Sequence, residues 1–251
     1  MALSLLCSCV ADKVYEDKVH EDEGEKEAST SEKADYTTGL EGLSAICLNE
    51  AGDGLLVAED NGHIYEFSLE GKLTNTLSFP APDNAHDWEG ITRADDGSIY
   101  LCEERLREIY KLSKNRETVT LVSKGPAEPD SKDNQGYEGI AAAPGVLYVC
   151  NQSNPYRVYR YSLDKNEWAV AFDVTWAESL SDIFYDSADA TLWITDAKTQ
   201  KLTQLKTDGT VLKTYNISFV NKPEGFCADK AHGSYWFVCD KKATLHKVSK
   251  L

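Results

Sequence analysis

The chain is poor in the residues and motifs that announce familiar chemistry. It holds one methionine and five histidines in 251 residues, and His20, His63, His86, His232 and His246 show no metal-ligand spacing. There is no Gly-x-Ser-x-Gly elbow, no phosphate-cradling glycine loop and no EF-hand loop. No stretch approaches the roughly 18–20 consecutive apolar residues of a membrane-spanning helix. Positive charge is also scarce, with 26 Lys and Arg against 42 Asp and Glu for a formal net charge of −16. That balance excludes a nucleic-acid binder, which needs a basic face. What is present instead is aromatic: 13 Tyr, 7 Phe and 5 Trp, residues that pack well on sheets.

The acid is concentrated near the N-terminus. Ala11–Asp35 carries ten carboxylates against four lysines and has almost nothing to bury. Residues 10–35 are therefore expected to be a disordered acidic tether, with an exposed helix as the alternative. Ahead of it, Leu6-Cys7-Ser8-Cys9 resembles the end of a bacterial lipoprotein signal. The apolar part is short and no Lys or Arg precedes it, so residues 1–9 read as the remnant of such a signal, with Cys9 as the lipidated residue. This places the protein in the bacterial cell envelope, touching the membrane only through a lipid anchor; the alternative is an ordinary cytoplasmic N-terminus.

A repeat organises the remainder, residues 36–251. A small or acidic pair followed by an apolar residue recurs as Ser44-Ala45-Ile46, Glu89-Gly90-Ile91, Glu138-Gly139-Ile140, Ser181-Asp182-Ile183 and Glu224-Gly225-Phe226, at spacings of 45, 49, 43 and 43. Each anchor is followed by a strand ending in a polar residue, such as Ile99–Glu103 or Leu192–Asp196, and then by an alternating strand such as Ile109–Leu112. Four short strands per unit of this length predict an all-β fold, a five-bladed β-propeller of four-stranded blades, with six blades as the alternative. The last unit stops after its third strand, so the segment at about Tyr36–Leu40 is expected to supply the missing fourth and close the ring.

In a propeller the first strand of each blade lines the axis and the second runs back beside it. Strand-one starts (Ser44, Glu89, Glu138, Ser181 with Asp182, Glu224) and strand-two ends (Glu59, Glu103, Asn151, Asp196, Asp240) are thus expected on one face, at the channel mouth. Carboxylates gathered so closely raise each other's pKa or recruit a cation. Oxygen donors without His or Cys suit a hard ion, and calcium accepts about six to eight of them. Glu89, Glu138, Glu224, Glu103, Asp196 and Asp240 are expected to form a calcium-type site. Glu59, Asn151, Asp182, Arg105, Arg157 and Trp88 are assigned to ligand binding around it. The alternative is that the acids only cap backbone N–H groups at strand ends.

Taken together, Ser44-Ala-Ile, Asp87-Trp-Glu-Gly-Ile91, Cys102-Glu-Glu-Arg105 followed by Ile109-Tyr110, Gly136-Tyr-Glu-Gly-Ile140, Leu180-Ser-Asp-Ile183 and Pro223-Glu-Gly-Phe226 resemble the SdiA-regulated (YjiK-like) β-propeller family over about residues 42–248. The resemblance implies an envelope-associated propeller, often exported, with calcium-linked roles for some members and no established catalytic activity. The acidic tether and the N-terminus are not part of that pattern.

Several residues are open to two readings. His86-Asp87 is either an acid/base pair at the mouth or a solvated loop. Arg105 and Arg157 either bind an anion or neutralise neighbouring acids. Trp88 either stacks on a ligand or packs in the core. Among the cysteines, Cys47 and Cys227 come nearest to a disulfide, because blades one and five meet at closure; other equivalent pairs are expected to exceed the ~7 Å limit. The alternative is that all are small buried side chains. Three function classes remain: a non-catalytic envelope binding module with a divalent cation, a metal-dependent hydrolase of phosphoesterase or lactonase type, and a protein-interaction scaffold. A monomer is expected, with a small ligand or an envelope protein as partner.

Overall fold

A computed structural model of the chain describes residues 32–79, 87–128 and 135–251. Among the described residues the chain forms twenty strands and one 3-10 turn, Asp240–Lys242. After β1 (Lys33–Thr37), the first blade is β2 (Leu43–Leu48), β3 (Gly54–Glu59), β4 (His63–Ser68) and β5 (Leu73–Ser78). The second is β6 (Trp88–Arg93), β7 (Ile99–Glu103), β8 (Glu108–Leu112) and β9 (Val119–Lys124). The third is β10 (Tyr137–Ala143), β11 (Val146–Asn151), β12 (Arg157–Ser162) and β13 (Glu167–Asp173). The fourth is β14 (Leu180–Asp186), β15 (Thr191–Asp196), β16 (Lys201–Lys206) and β17 (Val211–Asn216). The fifth holds β18 (Pro223–Asp229), β19 (Ser234–Cys239) and β20 (Thr244–Val248), and β1 completes it against β20. Each sheet is antiparallel, and the inner strands β2, β6, β10, β14 and β18 contact one another in cyclic order. The molecule is a five-bladed β-propeller.

The closing strand begins earlier than the sequence suggests. It runs over Lys33–Thr37, with Tyr36 opposite Leu245, rather than over Tyr36–Leu40. Tyr36 stacks on Trp236 at 5.8 Å, which sets the register, and positive φ at Gly39 and Gly42 turns the chain away towards β2. Glu32–Asp35, counted with the acidic tether from composition, thus belong to the ring; residues 10–31 of that tether and the signal-like residues lie outside the described residues.

Burial follows distance from the axis. Every residue of β3, β15 and β18 is buried, while β5 and β17 are exposed almost throughout. Five apolar clusters fill the five blade-to-blade interfaces, built on large aromatics that include Trp88 between blades one and two, Tyr137 between two and three, and Trp236 between five and one. Cys47, Cys102, Cys150 and Cys227 are free thiols buried in these layers, and Cys239 is buried with them. Cys47 and Cys227 fall in two different interfaces, so the disulfide reading gives way to the packing one.

The repeat has a structural cause at the axis. In every inner strand the pairing with the second strand skips one residue: Ser44, Glu89, Glu138, Ser181 and Glu224 are bulged out of the ladder. The residue that follows meets the neighbouring inner strand at backbone contact. A Cβ on Gly139 would lie 2.7 Å from Asp182 Cα and from Ile183 N, and one on Gly225 would lie 2.9 Å from Ala45 Cα. The ring is too narrow there for side chains all round, which is why glycine follows the bulge in three of the five blades.

Two outcomes follow. Gly139→Ala should destabilise the fold by about 1–3 kcal/mol, the usual effect of overpacking, in urea unfolding; a change below about 0.5 kcal/mol would show that the ring can widen. Deleting residues 1–38 removes β1 and should lower the melting temperature and yield oligomers through the exposed β20 edge, measured by scanning calorimetry and light scattering.

Candidate functional site

The bulges place side chains where the sequence places its acidic mouth. Glu89 and Glu138 come from adjacent inner strands, and Glu224 from β18. Two loop acids join them: Asp60, which follows β3, and Asp87, which precedes β6. A carboxylate oxygen from each of Asp60, Asp87 and Glu89 lies within 4.8 Å of the others. Neighbours hold two of these groups in place. Ser44 Oγ, from the bulge of blade one, donates to Asp60 Oδ1 at 2.5 Å, and Arg105 Nε lies 2.8 Å from Asp87 Oδ2. Glu104, directly after β7, shares a hydrogen bond with Glu138 and accepts one from Gly136 N at 3.4 Å. Lys222 Nζ lies 2.5 Å from Glu224 Oε1.

Burial is the main force on these acids. It pushes the Glu89 carboxyl well above its usual range, and the negative charges of Asp60, Glu104, Asp87 and Glu224 push the same way. Glu138 is raised well above its usual range by burial and then by Glu89 and Glu104. Glu104 is pushed up to about 7, first by burial and with a further rise from Asp87, while its hydrogen bond with Glu138 acts against the shift. Two carboxyls can hydrogen bond only when one holds a proton, so this pair is built to keep a proton or to release it to a cation.

The strand-two ends behave differently. Glu59 accepts from Asn61 N at 3.2 Å and Asn61 Nδ2 at 2.7 Å and sits 2.9 Å from His63 Nδ1. Glu103 Oε2 accepts from Leu106 N at 2.5 Å. Asn151 Nδ2 donates to Ser153 O and Pro155 O, both at 2.8 Å. Asp196 accepts from Glu178 N, Lys198 N and Thr199 N at 2.9–3.1 Å. These side chains cap loops; Asp196 does only that, whereas Glu103 also borders the acidic group, where burial and then the charge of Asp87 raise its carboxyl and Arg105 lies 4.0 Å away. Asp240 begins the 3-10 turn, and its side chain lies outside the described residues, as do His86 and Cys9.

The remaining assignments divide. Asp182 is buried beside Gly139, where its Oδ2 accepts from Phe226 N at 2.7 Å; it ties blade four to blade five. Arg105 joins the site as the partner of Asp87. Arg157 is paired with Asp173 at 2.5 Å and Glu128 at 2.7 Å, so it neutralises. Trp88 is fully buried, with ring contacts to Phe79 at 5.7 Å and Tyr110 at 6.5 Å; no face of it is open to a ligand.

Asp60 and Glu104 escaped the sequence reading, and Asp87 entered it only beside His86. A signal existed: the acids at the ends of β3 and β7 are doublets, Glu59-Asp60 and Glu103-Glu104. The first member caps the loop and the second turns to the axis.

The sequence profile of the SdiA-regulated family matches residues 27–180. No curated protein sequence matches the chain. Among solved structures, Myxococcus xanthus glutaminyl cyclase superposes with a TM-score of 0.65 at 13% identity over 87% of this chain and 95% of that one. Virginiamycin B lyase from Staphylococcus aureus gives 0.55 at 14% identity over 88% and 99%. A chain of the nidogen/laminin complex gives 0.58 at 14% over 80% and 73%. At these identities the likeness is one of fold.

The raised acids give stability a pH dependence of definite sign. A carboxyl whose pKa rises on folding binds more protons folded than unfolded, so stability falls as pH climbs between the two values. For Glu104 that window runs from about 4.5 to about 7. In chelator the melting temperature of the wild type should drop across this window, and Glu104→Gln should flatten the drop. A profile identical in the variant would remove Glu104 from the proton-binding group.

Proposed function

The chain belongs to the SdiA-regulated family, and from the acidic group at its axis we propose that it is an envelope-tethered binding module that captures a divalent cation of calcium type. The observation that supports this reading is the Asp60, Asp87 and Glu89 triad, with donor oxygens within 4.8 Å of one another and one member positioned by Ser44. The donor set fits a hard ion: it is oxygen only, and its acids are desolvated and crowded, so a cation relieves repulsion that otherwise has to be relieved by protons. Asp60, Asp87 and Glu89 would hold the ion, Glu138 and Glu104 would balance its charge, and Arg105 would orient Asp87. Glu224 adds to the negative potential around Glu89. The tether and a lipid on Cys9 would keep the propeller at the membrane as a monomer.

One observation favours a second, catalytic reading. Glu104, at about 7, exchanges a proton near neutrality, as an acid/base group must, and two of the structural neighbours are a cyclase and a lyase by name. The hydrolase form of this reading gives Glu104 the proton transfer beside the cation.

Scanning calorimetry of the full chain in calcium, magnesium and EDTA separates the two. Calcium at about 100 times its dissociation constant should stabilise the fold by about 2.7 kcal/mol, with tighter binding at higher pH as protons are displaced. Asp60→Asn with Glu89→Gln should abolish the stabilisation with the circular dichroism spectrum unchanged. Equal melting in calcium and EDTA would sink the cation site. Hydrolysis of a p-nitrophenyl phosphodiester or a γ-lactone, lost in Glu104→Gln while calcium still binds, would establish the catalytic reading.

A further inference from the structure

A sizeable cavity lies away from the acidic mouth. It measures about 620 Å³ and opens at the other end of the axis, where the inner strands finish. Ile46, Ile91, Ile140, Ile183 and Phe226, the apolar residues of the five anchors, form its floor. Two residues further along each inner strand, the wall is uneven. Ala142 sits between Arg93 of blade two and Tyr185 of blade four, and Ala228 lies on the far side of Tyr185, so two short side chains open lobes beside two long polar ones. The size and the apolar floor with a few polar groups above it are those of a small-molecule site, typically about 300–1,000 Å³.

The charged groups at the rim differ in whether the protein already satisfies them. Asp186 is paired with Lys230 Nζ at 2.8 Å. Asp229 is held by His232 N at 3.1 Å and His232 Nδ1 at 2.9 Å. Asp53 accepts from Asn49 Nδ2 at 2.8 Å. Two groups stand apart. Arg93 donates one N–H, from Nη1, to Glu50 O at 2.8 Å, and its other donors have no partner among the described residues. Asp95, in the turn between β6 and β7, has no ion pair or side-chain hydrogen bond among the described residues, and neither does the Tyr185 hydroxyl. Arg93 and Asp95 do not pair with each other. One unmatched cation and one unmatched carboxylate therefore stand two residues apart over an apolar cup.

We propose that this cavity binds a small zwitterion with an apolar side chain, an apolar amino acid or a short apolar peptide. Its carboxylate meets the free side of the Arg93 guanidinium, its ammonium meets Asp95, and its side chain enters the isoleucine and phenylalanine cup beside Ala142. A guanidinium fork suits a carboxylate, and the satisfied pairs around it leave no second charge to compete. The site is independent of the acidic group at the opposite mouth and needs no cation.

Isothermal titration of the full chain with L-phenylalanine and with L-leucyl-L-leucine tests it. Saturable one-to-one binding of at least one of them is expected. N-acetyl-L-phenylalanine, which lacks the ammonium, and L-phenylalaninamide, which lacks the carboxylate, should each bind about tenfold more weakly or worse. Arg93→Gln, at an exposed position, should erase the preference for the free carboxylate with the fold intact by circular dichroism. Ala142→Phe should fill the lobe and abolish binding. Absence of saturable binding by both zwitterions, equal affinity for the capped compounds, or an unchanged preference in Arg93→Gln would each overturn the proposal.

Discussion

Five inner strands meet round one axis at backbone contact, and the rest of the molecule is arranged around that crowding. Where Gly139 approaches Asp182 Cα and Gly225 approaches Ala45 Cα, little but main chain fits. One residue earlier each inner strand bulges, releasing a side chain from the ladder and directing it to the mouth. The acids are therefore not scattered over a surface. A narrow ring brings them together, and the burial that comes with it raises their proton affinity. Asp182 is the informative exception: it carries a side chain in the crowded layer and anchors it on the amide of the next blade.

The apolar anchor residues divide the axis into two environments with different electrostatics. On the acidic side, carboxyls outnumber the cations near them, with Arg105 against Asp87 and Glu103 and Lys222 against Glu224. On the cavity side, charges mostly cancel in local pairs, and hydrophobic surface dominates the floor. A single chain thus presents a desolvated carboxyl group at one end of its axis and an amphiphilic cup at the other. The small lining residues on one side and the ring of isoleucines on the other come from the same five strands, read at successive positions.

The fold was legible because the axial constraint repeats. An acid or serine, then a small residue (Asp182 in the fourth blade), then an apolar one marks the bulge, the contact and the floor, so blade number and ring closure follow from counting. Glu89, Glu138 and Glu224 were legible for the same reason. The loop acids were not, because neighbours in a strand end point to opposite sides and a shift of one residue exchanges cap for site. Glu59 and Asp60 differ in that way, as do Glu103 and Glu104. Trp88 next to Glu89 shows the same alternation: one faces the blade interface and the other the mouth. The cavity was illegible because its wall depends on how Arg93, Ala142 and Tyr185, far apart in the chain, alternate round a ring.

The pairing of β1 with β20 joins Lys33 to Val248, and the clasp is fastened further by hydrogen bonds between Glu32 and Ser249. During synthesis β1 is among the first parts of the domain to leave the ribosome, yet its partner is nearly the last. Four blades can assemble while the chain grows, each next to the one before it, but the ring has two unsealed ends until β20 has emerged. Until then the nascent propeller is open rather than a closed ring, with the edge of the newest strand exposed. Its fidelity of assembly thus depends on the moment β20 appears, when the oldest strand of the domain is fitted to the youngest.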